Sequence, residues 1–166
     1  KSPATTHQRI ISTGSSNNTG WTLTMSGTTG QIRFGHDSIG FTSNDLESDN
    51  SSRIEPYTWT HIAVVYDYSE LKLTLYKNGM AVLTKSNFSG SQAIRNWWTA
   101  TNVDLRIGSR YNNAYYFSGY MDEIRICKGV AAYTGNFTPS TTRLSGSGQS
   151  AGAAGSNIAA VSAAQT

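Results

Sequence analysis

Trp59 to Gly79 reads WTHIAVVYDYSELKLTLYKNG, two strand-like runs with a short polar turn between them and an Asn-Gly turn after the second. In the second run Leu71, Leu73 and Leu75 alternate with Lys72, Thr74 and Tyr76. A period of two sends successive side chains to opposite faces of a sheet, so the leucines share one face and the polar or amphipathic groups the other. That is the pattern of half-buried antiparallel sheet. A fold made of such hairpins is a scaffold whose function sits on its loops and edges.

The same punctuation runs along the chain. Arg9 to Thr13, Trp21 to Met25, Gln31 to Phe34, Thr60 to Asp67, Leu71 to Lys77, Ala81 to Lys85, Asp104 to Gly108 and Tyr116 to Cys127 read as short strands. Between them Gly14 to Gly20, Gly27 to Gly30, Asn78-Gly79 and Ser89-Gly90 tolerate positive φ or hydrogen-bond their own backbone, as tight connections require. The spacing is that of an all-β sandwich. The one local exception is Val130 to Tyr133, where a single turn of helix is expected. Trp59, Ile62, Val64, Leu75 and Ile107 are the expected core, with Phe137 and Pro139 folding back across the sheet.

With 166 residues the chain is long enough for one domain with a sizeable core, and charged residues at only 14% leave Gly, Ser, Thr and Asn to fill the turns. The formal charge is +3, but Lys and Arg are scattered singly, which argues against nucleic-acid binding and against an anionic membrane surface. The single cysteine, Cys127, excludes an intrachain disulfide and a cysteine-rich zinc site. No apolar run approaches membrane-spanning length and no signal peptide is visible. The chain begins at Lys1 without a methionine, so an upstream segment is expected.

Residues 1–144 form the expected sandwich domain, after which the composition turns abruptly to SGSGQSAGAAGSNIAAVSAAQT over residues 145–166. Ile158 and Val161 are its only large apolar groups, too little to offset the ordering entropy of the segment alone. This low-complexity tail is expected to extend along a neighbour, either another copy or another protein of an assembly.

The run YTWTHIAVVYDYSELKLTLYKNGMAV, followed by VDLRIGSRYNNAYYFSGYMDEIRICKGVAAYTGNFTPST, resembles the concanavalin A-like lectin/glucanase superfamily in its laminin-G-like and pentraxin-like form. The version common in bacteriophage tail and other virion proteins has the same Trp-x-His strand, Leu-Tyr-x-Asn-Gly hairpin, Ile-Gly strand end and Gly-Tyr-x-Asp-Glu-x-Arg-Ile strand. The closing Gly-Val-Ala-x-Tyr-Thr-x-Asn-Phe-Thr-Pro segment, from Gly129, is the most telling part. The resemblance covers Arg9 to about Thr141 and implies an antiparallel jelly-roll β-sandwich. It implies little about activity, because this jelly roll serves lectins, adhesion modules, virion proteins and some glucanases. Members usually carry further strands before the equivalent of Arg9-Ile10-Ile11, so a preceding part of a longer virion protein, or a strand from another chain, is expected to complete the sheet.

Glucanases of this fold use a Glu-x-Asp-x-x-Glu strand that places acid and nucleophile on one face. The sequence lacks that pattern, and Asp122 and Glu123, being adjacent, would point to opposite faces of a strand. Asp122 would fall in line with Ile124 and Ile126 and so needs a partner, either as an acceptor for loop amides or as a metal or ligand contact. His7, His36 and His61 stand apart from any nucleophile signature, and His61 reads as a strand residue satisfied by backbone. The chain is therefore expected not to be an enzyme.

Two clusters remain. In SNDLESDNSS, Ser43 to Ser52, the alternating Asp45, Glu47 and Asp49 with Asn50 offer hard oxygen donors that suit calcium, although the glycine and terminal glutamate of a calcium loop are missing. The expected cofactor is thus none or calcium. Trp97 and Trp98 in NWWTATN, with Tyr111, Asn112, Asn113, Tyr115 and Tyr116 in RYNNAYY, pair aromatic faces with amides. Sugar rings stack on such faces while their hydroxyls bond to the amides; the alternative is a sandwich end or a subunit interface, where Trp and Tyr are also enriched. Two functions stay open: a structural or adhesive module on a virion surface, with other copies, virion proteins and host-surface glycans as partners, or an extracellular carbohydrate-binding module.

Overall fold

The computed structural model describes residues 7–14, 20–36, 46–86, 104–110 and 113–143. Among these the chain forms β1 (His7–Gly14), β2 (Trp21–Ser26), β3 (Ile32–His36), β4 (Leu46–Glu47), β5 (Ile62–Asp67), β6 (Lys72–Lys77), β7 (Met80–Lys85) and β8 (Asp104–Ile107), with one 3-10 turn at Asn50–Ser52 and no α-helix. All pairings are antiparallel. The strands divide into a five-stranded sheet, β4-β3-β2-β1-β8, and a three-stranded sheet, β5-β6-β7. Each belongs to its own compact unit and is described by itself.

In the five-stranded sheet the register sorts residues cleanly onto two faces. Trp21, Leu23, Ile32, Phe34 and Leu46 fall on one face and are all buried, with the Trp21 and Phe34 rings 5.6 Å apart. Ile11 and Ile107 join this face at its other side. The opposite face carries Arg9, Ser12, Thr22, Thr24, Arg33, Glu47, Asp104 and Arg106. A bulge between Arg9 and Ile11 shifts the phase of β1, which is why Arg9 and Ser12, three residues apart, share a face. The β2–β3 turn closes through Gly30, whose N–H reaches the Ser26 carbonyl at 2.9 Å with φ at +72°. A Cβ there would stand 2.5 Å from the Ile54 oxygen, so only glycine fits.

In the three-stranded sheet β6 lies at the centre. The Asn78-Gly79 hairpin has φ of 49° and 80° at its two central residues, the type I′ signature that matches strand twist. At the other end Asp67 Oδ1 accepts from the Ser69 and Glu70 amides and from the Ser69 hydroxyl, which hold its carboxyl below the ordinary range. Leu73 and Leu75 are fully buried, as their alternation requires.

The other face of β6 is also covered: Thr74 and Tyr76 are buried, so this strand is not half-buried as the alternation suggested. Residues 133–137 supply the cover. Phe137 stacks on Tyr133 with centroids 3.6 Å apart, and both meet Tyr76, with Ala63 and Val65 packed beneath. The Phe137 amide donates to the Gly79 carbonyl at 2.9 Å, and the Ala81 amide to Asn136 Oδ1 at 2.8 Å. A Cβ at Gly79 would lie 1.9 Å from the Phe137 oxygen. The closing segment thus folds back across the sheet through Phe137, and the hairpin glycine is shaped by that contact.

Several expectations are corrected. Leu71 sits in the β5–β6 turn at φ 48°, outside the strand. Residues 116–127 form no strand: Asp122 Oδ1 takes the Glu123 amide at 2.9 Å and Glu123 turns to φ 52°, interrupting the extended run at its centre. Residues 130–133 form no helical turn, because Tyr133 is drawn into the stack on Phe137. Trp59 is 71% exposed, lying before β5 where no ladder presents it to a layer, and Ile107 is 50% exposed on the edge strand β8.

Candidate functional site

The polar face of the five-stranded sheet is where side chains with chemistry gather. Two rows cross it: Glu47, Arg33, Thr24 and Arg9 stand opposite one another over β4-β3-β2-β1, and Thr22, Ser12 and Arg106 over β2-β1-β8. The floor is buried, with Thr22, Thr24 and Ser12 at 0 to 1% exposure. Thr22 spends its hydroxyl on the Ile11 carbonyl at 3.3 Å and Ser12 on the Ser109 carbonyl at 2.9 Å. The Thr24 hydroxyl, between Arg9 and Arg33, is buried with no hydrogen-bond partner.

The arginines rise from this floor to different depths. Arg9 and Arg110 are buried at 3% and 1%, and their guanidiniums lie 5.4 Å and 5.7 Å from the centre of the Tyr115 ring. Cations over an aromatic face are attracted by the ring quadrupole, so Tyr115 shields two charges that solvent does not reach. Arg33 and Arg106 remain reachable, with side chains 18% and 31% exposed. Arg33 pairs with Glu47 and also meets His7 Nε2; since a guanidinium only donates, that imidazole nitrogen accepts and the ring proton sits on Nδ1. Burial, then Arg33 and Arg9, hold the His7 pKa below its ordinary value. Arg106 donates to Asn113 Oδ1 at 2.8 Å and to Asp104 Oδ2 at 3.3 Å.

The loop after β8 positions the aromatic member. The Arg110 amide donates to the Ala114 carbonyl and the Asn113 amide to the Arg110 carbonyl, closing a tight turn, and the Arg9 amide ties the Tyr115 carbonyl to β1 at 2.9 Å. Asn113 and Tyr115 both adopt left-handed backbone, at φ 55° and 56°. For tyrosine that conformation costs about 1–2 kcal/mol, and such strain persists only where surrounding contacts over-determine it. The result is an amide and a phenol ring set side by side at the rim of an arginine-rich face.

Of the residues singled out in the sequence, Asn113 and Tyr115 therefore come together here. Trp97, Trp98, Tyr111, Asn112 and Asp45 lie outside the described residues. Glu47 belongs to this face through Arg33, whereas Asp49 caps the 3-10 turn, accepting from the Ser51 hydroxyl and the Ser52 amide, and Asn50 is exposed at its start. Those serine contacts lower the Asp49 pKa. Among the described residues no three His, Cys, Asp or Glu side chains cluster as metal ligands would. Asp122 is an exposed acceptor for a loop amide. His61 donates its amide to the Asn78 side-chain Oδ1 and accepts the Asn78 amide on its carbonyl, and sets its ring edgewise on Tyr133 and Phe137. Reading the sequence for runs of charge missed Arg9, Arg33, Arg106 and Arg110. The available signal was their phase: three of them occupy the polar positions of alternating strands.

A family model described as the Concanavalin A-like lectin/glucanases superfamily matches residues 1–132. No curated protein matches the chain. Two solved structures of the CBM40 of Ruminococcus gnavus IT-sialidase are similar at 18% identity, one bound to alpha2,3 sialyllactose with a TM-score of 0.54 and one to alpha2,6 sialyllactose with a TM-score of 0.53. The matches cover 72% and 69% of this chain, which spans slightly under two thirds of those modules, 66% and 64%. At that identity the likeness concerns the fold, the antiparallel concanavalin A-like β-sandwich class.

Proposed function

We propose that this chain, which belongs to the concanavalin A-like lectin/glucanase superfamily, is a non-catalytic carbohydrate-binding domain that receives sugar at the rim of the polar face of its five-stranded sheet, beside Asn113 and Tyr115. The observation that carries the reading is Tyr115, held in left-handed backbone at φ 56° between strand β1 and two buried guanidiniums, with Asn113 exposed beside it. Sugar sites combine an aromatic ring, on which C–H groups stack, with amides, hydroxyls and charged groups that fix orientation. The binding of sialyllactose by a protein of the same fold supports the reading, as does the lack of the Glu-x-Asp-x-x-Glu strand in the sequence. An extracellular setting is part of this proposal.

A glycan array probed with the labelled domain tests it. Binding to one or more oligosaccharides is expected, weakened about tenfold or more by Asn113→Gly, which removes an amide while keeping the left-handed backbone. A folded domain that binds no glycan would end the reading. A virion setting is the second reading, resting on the Gly129 to Thr141 motif and on the Gly/Ser/Ala composition of residues 145–166. In it the domain sits among copies of itself or neighbouring virion proteins and binds host-surface sugars. Mass spectrometry of the native chain and its assembly separates the two settings.

A further inference from the structure

The two edges of the five-stranded sheet are built differently. At one side β4 is two residues long, with Leu46 buried and Glu47 engaged by Arg33. Short strands of this kind blunt an edge. At the other side β8 runs for four residues, and among the described residues no strand pairs with it beyond β1. The Gly108 amide donates to the Ile10 carbonyl at 2.9 Å, which makes Ile11 and Ile107 a non-hydrogen-bonded pair of the antiparallel ladder. The N–H and C=O groups of Ile107, and of Leu105 two residues before it, therefore point away from β1. The side chains of both are about half exposed, at 51% for Leu105 and 50% for Ile107, so this edge offers apolar surface together with open backbone.

The polar side chains of β8 select what can pair with it. Asp104 and Arg106 stand on the opposite face of the strand from Leu105, on either side of it and of opposite sign. They meet each other at 3.3 Å with side chains 72% and 31% exposed, and a pair so exposed contributes little. An acid and a base two residues apart form a self-complementary pattern: turned antiparallel, the strand presents a base where it had an acid. When a second β8 is laid on the first with leucine opposite leucine, opposite charges face each other at both ends of that pair, and opposed pairs of this kind stabilise strand pairing.

We infer that two copies of this chain associate edge to edge through β8, Leu105 meeting the partner's Leu105 on a two-fold axis and Asp104 meeting the partner's Arg106 on either side of it. The outward N–H and C=O groups of Leu105 then bond across the axis in both directions. The contact is isologous and closes at two copies. Residues opposed across antiparallel strands share a face, so the axis stands perpendicular to the sheet and both polar faces look the same way. The pairing rests on β8 alone. Its consequence rests on the carbohydrate reading above: two Asn113 and Tyr115 rims facing one glycan-bearing surface gain avidity. Four residues a side is a small interface, so the dimer is expected to form and dissociate with concentration.

Sedimentation velocity of the full 166-residue chain, from micromolar to millimolar concentration, tests the inference, and a monomer–dimer equilibrium is expected. Asp104→Lys sets like charges against each other at both ends of the leucine pair, as does Arg106→Glu, and each should weaken dimerisation at least about tenfold. An equal mixture of the two variants should recover a dimer holding one copy of each, because every opposed pair is then again of opposite sign. A chain that stays monomeric at millimolar concentration would overturn the inference. So would a dimer that both variants leave intact, or a mixture of the variants that remains monomeric. Thermal unfolding confirms that each variant is folded; Asp104 is exposed enough for its replacement to test the pairing even where Arg106→Glu, which also loses the Asn113 contact, does not fold. The readout needs no sugar, so failure of the dimer is distinct from failure of the carbohydrate reading, which the glycan array decides.

Discussion

Replacing Phe137 by alanine tests the account of how the closing segment is fastened. Phe137 is 7% exposed, stacks on Tyr133 at 3.6 Å with the planes 3° apart, and touches the Tyr76 and His61 rings at 5.5 Å and 5.4 Å. Truncating a buried Phe costs about 3–5 kcal/mol, and a loop segment lying against one face of a sheet can relax into the space, which favours the lower end. The stack with Tyr133 should account for about 1 kcal/mol of that as coupling. With a urea slope of about 2 kcal/mol per M, a loss near 3 kcal/mol moves the unfolding midpoint down by about 1.5 M. Urea titrations of Phe137→Ala, Tyr133→Ala and the double variant close the cycle. The double variant should lose less than the sum of the singles by about 1 kcal/mol. A midpoint shift under 0.5 M, or strict additivity, would refute the reasoning, because the segment would then be lying on the sheet without being held by it.

Three further outcomes follow from individual contacts. Gly79→Ala places a Cβ against the Phe137 oxygen in left-handed backbone, so it should cost about 2 kcal/mol and abolish hydrogen-exchange protection of the Phe137 amide; retained protection would count against the lock. Thr24→Val removes a buried hydroxyl that has no partner, so the midpoint should stay or rise by about 1 kcal/mol equivalent, and a clear loss would reveal a bond the present account lacks. His7 and His61 have pKa values pushed below the ordinary 6.5, chiefly by burial, so between that value and the folded one the unfolded chain binds more protons. Stability should be complete above about pH 6.5 and fall as pH drops below it, with the fall reduced in His61→Phe; a flat profile from pH 7 to 5 would contradict this.

The hairpin at Asn78-Gly79 and the burial of Leu73 and Leu75 were legible because they depend on local rules, turn chemistry and alternation. Residues 116–127 were not. GYMDEIRIC alternates as well as any strand, yet one side-chain bond from Asp122 to the next amide and one left-handed residue, Glu123, break it, and no pattern of polarity announces either. The site was legible in part for a related reason. RYNNAYY displays its aromatics and amides within a few residues, so Asn113 and Tyr115 could be named, but Arg9 and Arg106 are 97 positions apart in number and come onto one sheet face only when β1 pairs with β8. Charge scattered singly along the chain says nothing of charge gathered on a face. The cover on the Thr74 and Tyr76 face of β6 escaped notice because Tyr133 and Phe137, which supply it, come from more than 50 residues further on.

The most direct measurement is amide chemical-shift mapping of the labelled domain during titration with an oligosaccharide selected on the array. The account predicts that the shifts concentrate on β1, β8 and residues 113–115, with the exposed Asn113 side-chain amide among the strongest. Shifts confined to the β5-β6-β7 sheet, or no selectable oligosaccharide to titrate, would contradict it.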